Sequence, residues 1–259
     1  MAEFALYPSL NGDSVLVTGG ATGIGAEVVK AFADQGSRVG FVDFDKGSGE
    51  RLAAEIGEGH AFHFCDLRDI DALRSAVVKL EGALGTATVL VNNAARDDRH
   101  DWADVTPEYW DERMATNLRH MFFAIRAVAE CMINAGGGSI VNLGSGSWWE
   151  AIGGMPAYND AKSAVQGLTR TMARDLGLHG MRVNTVMPGW TLTERQKELW
   201  VTPEALDKQL QRQCLPIAIE PVYVARMVLF LASDDAAMCG ANSYMVEAGS
   251  IQADTGGQG

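Results

Sequence analysis

The chain has 259 residues, 47% of them hydrophobic and 21% charged, which suits a folded domain with a sizeable core and excludes a disordered or collagen-like chain. Its 21 basic and 33 acidic side chains leave a net charge of −12, which repels phosphate backbones and anionic lipid, so neither nucleic acid nor a membrane is expected as a partner. Cys65, Cys131, Cys214 and Cys239 form no C-x-x-C pair, and the amino terminus carries no basic-then-apolar leader pattern, so the expected compartment is the cytoplasm.

In chain order, short β-branched runs alternate with longer helical patterns. Ser14–Thr18, Arg38–Asp43, Ala61–Phe64, Thr88–Val91, Ser139–Leu143 and Arg182–Val186 read as buried strands, each followed by a helix candidate, and Ser243–Val246 reads as a seventh strand at one edge. Continuous apolar strands separated by helices require a parallel sheet covered on both faces, and right-handed crossovers then give a doubly wound α/β fold. The alternation runs from about residue 12 to about 248 with no linker or repeat, so residues 1–259 are expected to form one domain. Residues 190–221, rich in Gln, Glu and Leu, read as a helical lid, and the Gly-rich tail over 253–259 as a mobile end.

Three groups of residues carry chemistry. After the first strand, Gly19, Gly20, Gly23 and Gly25 form a G-x-x-x-G-x-G turn that runs into the helical pattern Ile24, Val28, Phe32. Such a turn lets backbone approach a pyrophosphate, whose charge meets free N–H groups at the helix N-terminus. Asp43 ends the second strand eighteen residues beyond Gly25, where a carboxylate accepts from both ribose hydroxyls and repels a 2′-phosphate; NAD is therefore expected over NADP. Asp66, past the third strand, is placed either to meet an adenine edge or to cap the helix that follows.

Tyr158 and Lys162 stand four residues apart on one helix, so the ammonium lies on the face of the phenol and favours its phenolate. Ser145, thirteen residues earlier at the end of the fifth strand, is positioned to hydrogen-bond a reacting oxygen. Ser147, Trp148, Trp149, Glu150 and Asn159 flank these groups, and Trp190 opens the lid segment, giving aromatic faces with a few polar groups that suit a pyranose ring. No metal is expected: His60 and His63 have no acidic or cysteine companion. Asp97 and Asp98 read as solvated loop carboxylates neutralised by Arg96 and Arg99.

Taken together, these residues resemble the short-chain dehydrogenase/reductase family over essentially the whole chain. Thr18–Gly25 is similar to the family's TGxxxGIG, Asn92–Ala95 to its NNAG, Pro188–Thr193 to the segment that holds the nicotinamide carboxamide, and Val246–Gly249 to its VDGG. Asn117, Ser145, Tyr158 and Lys162 match its catalytic tetrad. The resemblance implies a Rossmann fold with Tyr158 as base, Lys162 also on the nicotinamide ribose, Ser145 on the substrate oxygen and Asn117 holding a relay water. It places Gly19, Thr22, Gly23, Ile24, Asp43, Asp66, Leu67, Asn93, Ala94, Tyr158, Lys162, Pro188, Trp190 and Thr193 around the cofactor. A narrower similarity, to bacterial NAD-dependent aldose 1-dehydrogenases, lies in Tyr7–Leu10, Asp97–His100, Ala103–Thr106, Tyr109–Arg113, Asn117–Met121 and Phe230–Ala236. It implies oxidation of D-galactose, D-xylose or L-arabinose to the lactone. A carbonyl reductase of ketoacyl or other secondary-alcohol substrates and a dinucleotide-binding sensor are the alternatives. Residues 107–135 and 156–178 read as long helices, and the family builds a homotetramer through the corresponding pair.

Overall fold

The computed structural model describes residues 4–250; the tail at 253–259 lies outside the described residues. Seven parallel strands form one sheet in the order β3-β2-β1-β4-β5-β6-β7. They are β1 (Ser14–Thr18), β2 (Arg38–Asp43), β3 (Ala61–Phe64), β4 (Val89–Asn92), β5 (Gly138–Leu143), β6 (Met181–Pro188) and β7 (Ser243–Val246). Relative to the sequence reading, β4 moves one residue later, and β6 extends at both ends because its register with β5 and β7 carries it to Pro188.

Side-chain alternation divides the core into two layers. Val15 and Val17 of β1 point to one face, where Val28 and Phe32 of α1 (Gly23–Asp34) pack with Val224 and Val228 of α9 (Pro221–Ala232), all buried. Leu16 points to the other face, against Leu73 and Leu80 of α3 (Ile70–Leu84) and Ile125 and Val128 of α5 (His120–Asn134). The remaining helices are α2 (Lys46–Ile56), α4 (Pro107–Met114), α6 (Pro156–Leu176), α7 (Glu194–Leu199) and α8 (Pro203–Arg212). Strand order reverses between β1 and β4, and ligands of such sheets bind at the carboxyl ends of the strands beside that reversal.

The long helix read over 107–135 is interrupted. Ala115–Arg119 form a turn of π-helix between α4 and α5, so the backbone gains a residue there and Asn117 lies inside it, fully buried. The extra residue shows only in backbone hydrogen bonding, which the apolar pattern of the sequence does not record.

Ala248 takes φ of +56°, in the left-handed region, at the position where the resembled VDGG motif carries its first glycine. Ala248→Gly should therefore stabilise the fold by about 0.5–1 kcal/mol, relief of strain outweighing the added chain entropy. Thermal unfolding should register a rise of roughly 1–3 °C; a fall would mean that the Ala248 methyl packs more favourably than its backbone is strained.

Candidate active site

Strand ends build the site around the reversal point. Thr18, Asp43, Asn92, Leu143 and Pro188 terminate β1, β2, β4, β5 and β6. The loops beyond them line a cavity of about 1050 Å³ that also reaches α7 and α8.

The glycine turn is packed too tightly for side chains. A Cβ on Gly25 would lie 1.9 Å from the Gly19 carbonyl oxygen, one on Gly19 would lie 2.7 Å from Ala94 Cα, and Gly23 has φ of +56°. Asn93 braces the turn, its Nδ2 donating to Gly19 O at 2.7 Å and Thr18 O at 3.2 Å. Helix α1 starts at Gly23 with no side-chain cap from Thr22 and no acid in its first turn, so its positive end is left for an anion. Asp43 stands beside it, buried, with Oδ2 accepting from Ala21 N at 3.0 Å and Oδ1 from Asp45 N at 2.9 Å. This cradle fits a dinucleotide pyrophosphate and ribose. Thr22, Ile24, Asp66, Leu67, Ala94, Pro188, Trp190 and Thr193 line the same cavity.

Asp66 does not cap α3, because Asp69 does so by accepting from Asp71 N and Ala72 N at 3.0 Å. Instead Asp66 faces the cavity paired with Arg68 at 2.6 Å, and that guanidinium holds its carboxyl below the usual range. Arg68 also reaches Glu112 on α4 at 3.0 Å.

Tyr158 and Lys162 come from the first two turns of α6, with Lys162 Nζ 5.8 Å from the centre of the Tyr158 ring. The Lys162 ammonium donates to Leu143 O at the end of β5, 2.6 Å away, which orients it toward the site. Burial pushes the Tyr158 phenol up to about 12, against the pull of the Ser145 hydroxyl, and pushes Lys162 down to about 7. Burial thus disfavours the phenolate–ammonium pair, and a further positive charge entering the site would favour the phenolate.

Ser145 is joined to Ser147 at 2.8 Å, Ser147 donates to Asn159 Oδ1 at 2.7 Å, and Asn159 Nδ2 donates to Ile152 O at 2.7 Å. Ser145, Ser147 and Glu150 line the cavity. Trp148 and Asn159, read as substrate contacts, are not among the lining residues. Asn159 spends its amide bracing the Ser147 loop, and Trp148 stacks edge-on against the exposed Trp149 with ring centres 5.3 Å apart. Asn117, absent from the cavity lining, accepts at Oδ1 from Arg96 N at 2.7 Å, and its buried Nδ2 has no acceptor among the described protein atoms. Fully buried His120 faces Ala94 O through Nε2 at 3.1 Å, and burial pushes its imidazole down to about 4, fixing it neutral.

Other site groups escape sequence reasoning. A buried polar chain runs from Asn92 of β4 to Asn142 of β5 at 2.9 Å, then to Thr169 of α6 at 2.9 Å and Thr185 of β6 at 2.7 Å. Asp97 and Asp98 are not solvated loop carboxylates, since Arg195 of α7 pairs with both and Arg113 of α4 pairs with Asp98 at 2.7 Å. Arg96 does pair with Asp98, whereas Arg99 lies over the Trp200 ring at 5.6 Å. The 190–221 segment is held against the site by these contacts and by Arg212 on Glu150 at 3.3 Å. The only signal for them was the density of charge in both segments, which leaves the pairing across 97 and 98 residues undetermined.

A profile of the family described as Enoyl-(Acyl carrier protein) reductase matches residues 19–250. A solved protein titled "short chain dehydrogenase/reductase family protein" superimposes with a TM-score of 0.84 at 32% identity, over 94% of this chain and 99% of that one. The chain belongs to the short-chain dehydrogenase/reductase family. Dehydrogenases of this family bind a nicotinamide cofactor, and this one is accordingly an oxidoreductase. It is 44% identical over 248 residues to D-xylose 1-dehydrogenase of Caulobacter vibrioides, covering 95% of this chain and 98% of the relative. It is also 44% identical over 247 residues to the Rhizobium meliloti protein named "Probable galactose dehydrogenase GalD", covering 94% and 96%. Among the described residues no helix of this short-chain dehydrogenase is long and apolar enough to cross a membrane.

Proposed function

We propose that this enzyme oxidises an aldopyranose, D-galactose or D-xylose ahead of L-arabinose, at C1 to the aldonolactone with NAD. The observation that carries the reading is the polar substrate side of the cavity, where Asp97, Glu150, Arg195 and Gln196 stand with Trp190 beside Ser145 and Tyr158. Hydroxyls around a pyranose ring find acceptors and donors there, whereas a long acyl chain would meet charge. Similarity to the two sugar dehydrogenases supports it.

When bound, the oxidised nicotinamide supplies the hydride acceptor and a further positive charge. The chain's own groups do the rest. Ser145 hydrogen-bonds the C1 oxygen, Tyr158 takes its proton, Lys162 stabilises the phenolate and holds the nicotinamide ribose, and Asn117 holds water that carries the proton onward. One hydroxyl proton and one hydride leave the sugar, so the products are lactone, reduced cofactor and a proton. Asp43 selects NAD by occupying the space and charge of a 2′-phosphate. Asp43→Ala should lower the kcat/KM preference for NAD over NADP by about tenfold or more, and an unchanged preference would exclude this carboxylate as the selector.

The enzyme is expected to work in the cytoplasm as a homotetramer joined through α4–α5 and α6, where Phe122 of α5 and the small residues Ala164, Gly167 and Thr171 of α6 are exposed. NADH formation followed with pentoses, hexoses, deoxy sugars and simple secondary alcohols tests the substrate class. Turnover confined to aldoses is expected; silence on every aldose with activity on secondary alcohols or β-ketoesters would replace the reading by a carbonyl reductase.

A further inference from the structure

The contact between α7 and the loop after β4 joins two segments that each line the site. Arg195 donates from Nη1 to Asp97 Oδ1 and from Nη2 to Asp98 Oδ1 at 2.8 Å. Gln196 Nε2 donates to Asp97 Oδ2 at 2.7 Å, and Gln196 Oε1 accepts from Trp190 Nε1 at 2.9 Å. Asp98 has further cations in Arg96 and Arg113, so its charge is met from elsewhere. Among the described residues Asp97 has ion-pair contact with Arg195 alone.

The groups that act on the catalytic phenol come from four places. Lys162 lies on its own helix, Ser145 comes from the loop after β5, Asp97 and Arg99 come from the loop after β4, and Arg195 comes from α7. Among these, Asp97 opposes the phenolate, while Arg99 and Arg195 favour it. Asp97 also favours a charged Lys162. Arg99 in turn rests on Trp200, the residue that follows α7. Both arginines that help the phenol ionise are therefore held by the α7 side of the cavity. In a part-buried site an uncompensated carboxylate acts over a longer range than in water.

We propose that Arg195 is a positioning residue for catalysis: by docking α7 onto the Asp97 carboxylate it cancels that charge, so that seating of the 190–200 segment and ionisation of Tyr158 are one event. The consequence is a cycle. Removing Arg195 alone turns Asp97 on the base, and removing both charges restores the balance. A purely structural latch would behave otherwise, because breaking it from either side would lower turnover equally at every pH.

The test is the pH profile of kcat/KM, measured with NAD and whichever alcohol the wild-type enzyme oxidises, so its outcome does not depend on the aldose reading. The acidic limb of Arg195→Ala should move up by about half to one pH unit, which lowers kcat/KM on that limb by about three- to tenfold. Arg195→Lys, which keeps the charge, should shift by less than half as much, and Asp97→Asn in the Arg195→Ala background should recover at least half of the shift. An unmoved limb in Arg195→Ala, including one with a uniform loss at all pH, overturns the proposal, as does a double variant no better than the single. NADH binding and thermal unfolding verify that each variant is folded. Should Arg195→Ala not fold, Arg195→Gln must show the same upward shift, since it keeps a donor and loses the charge, and an unmoved limb there counts against the proposal equally.

Discussion

Tyr158→Phe binds NADH within about twofold of the wild type and turns over at least about 1000-fold more slowly, the loss expected when a general base is removed. The ring is kept, and with it the packing of α6. What goes is the hydroxyl that hydrogen-bonds Ser145, while the glycine turn, Asp43 and Asn93 that build the cofactor cradle are untouched. Stopped-flow turnover with NADH fluorescence titration measures both quantities. Retention of more than a tenth of wild-type turnover would move the proton acceptor elsewhere in the cavity, Asp97 or Glu150 being the carboxylates beside it.

Lys162→Met separates stability from activity. Lys162 is 2% exposed, and its burial pushes the amine down to about 7, so the fold bears a cost for holding an ammonium there. Met has nearly the same length and leaves only the Leu143 carbonyl without its 2.6 Å donor, a loss of about 1–3 kcal/mol that removal of the buried charge offsets. The variant should therefore unfold within about 1 kcal/mol of the wild type, or later, while kcat falls by at least about 100-fold because the phenolate loses the cation on its own helix. Denaturant unfolding and steady-state kinetics on the same preparation check the pair of effects. A large loss of stability alongside lost activity would make Lys162 a scaffold residue whose catalytic effect is indirect.

The sheet was legible because its central strands are buried on both faces and so carry near-continuous apolar runs, while the half-buried edge strands β3 and β7 showed as short β-branched or aromatic runs between helices. The glycine turn and Asp43 were legible because sharp bends at strand ends leave few residue choices. Tyr158 and Lys162 share a helix face by their spacing, a common pattern that gained meaning from the family resemblance, and Asn117 rested on that resemblance alone, since the π turn that buries it leaves no trace in apolar periodicity. Asn159 and Trp148 do not line the cavity for a related reason. Nearness in sequence to Ser145 says nothing about which way a loop side chain points, and Asn159 turns to brace the loop. The Asp97–Arg195 contact was illegible because pairing across 98 residues depends on where two loops are carried by the sheet.

Oxidation at C1 is tested with D-xylose and D-galactose deuterated at C1, incubated with NAD, both products being followed by NMR. The expected products are the aldonolactone and reduced cofactor carrying deuterium at nicotinamide C4, one atom per turnover, with a slowed rate if hydride transfer limits turnover. Turnover of these sugars that leaves deuterium on the carbohydrate would contradict oxidation at C1.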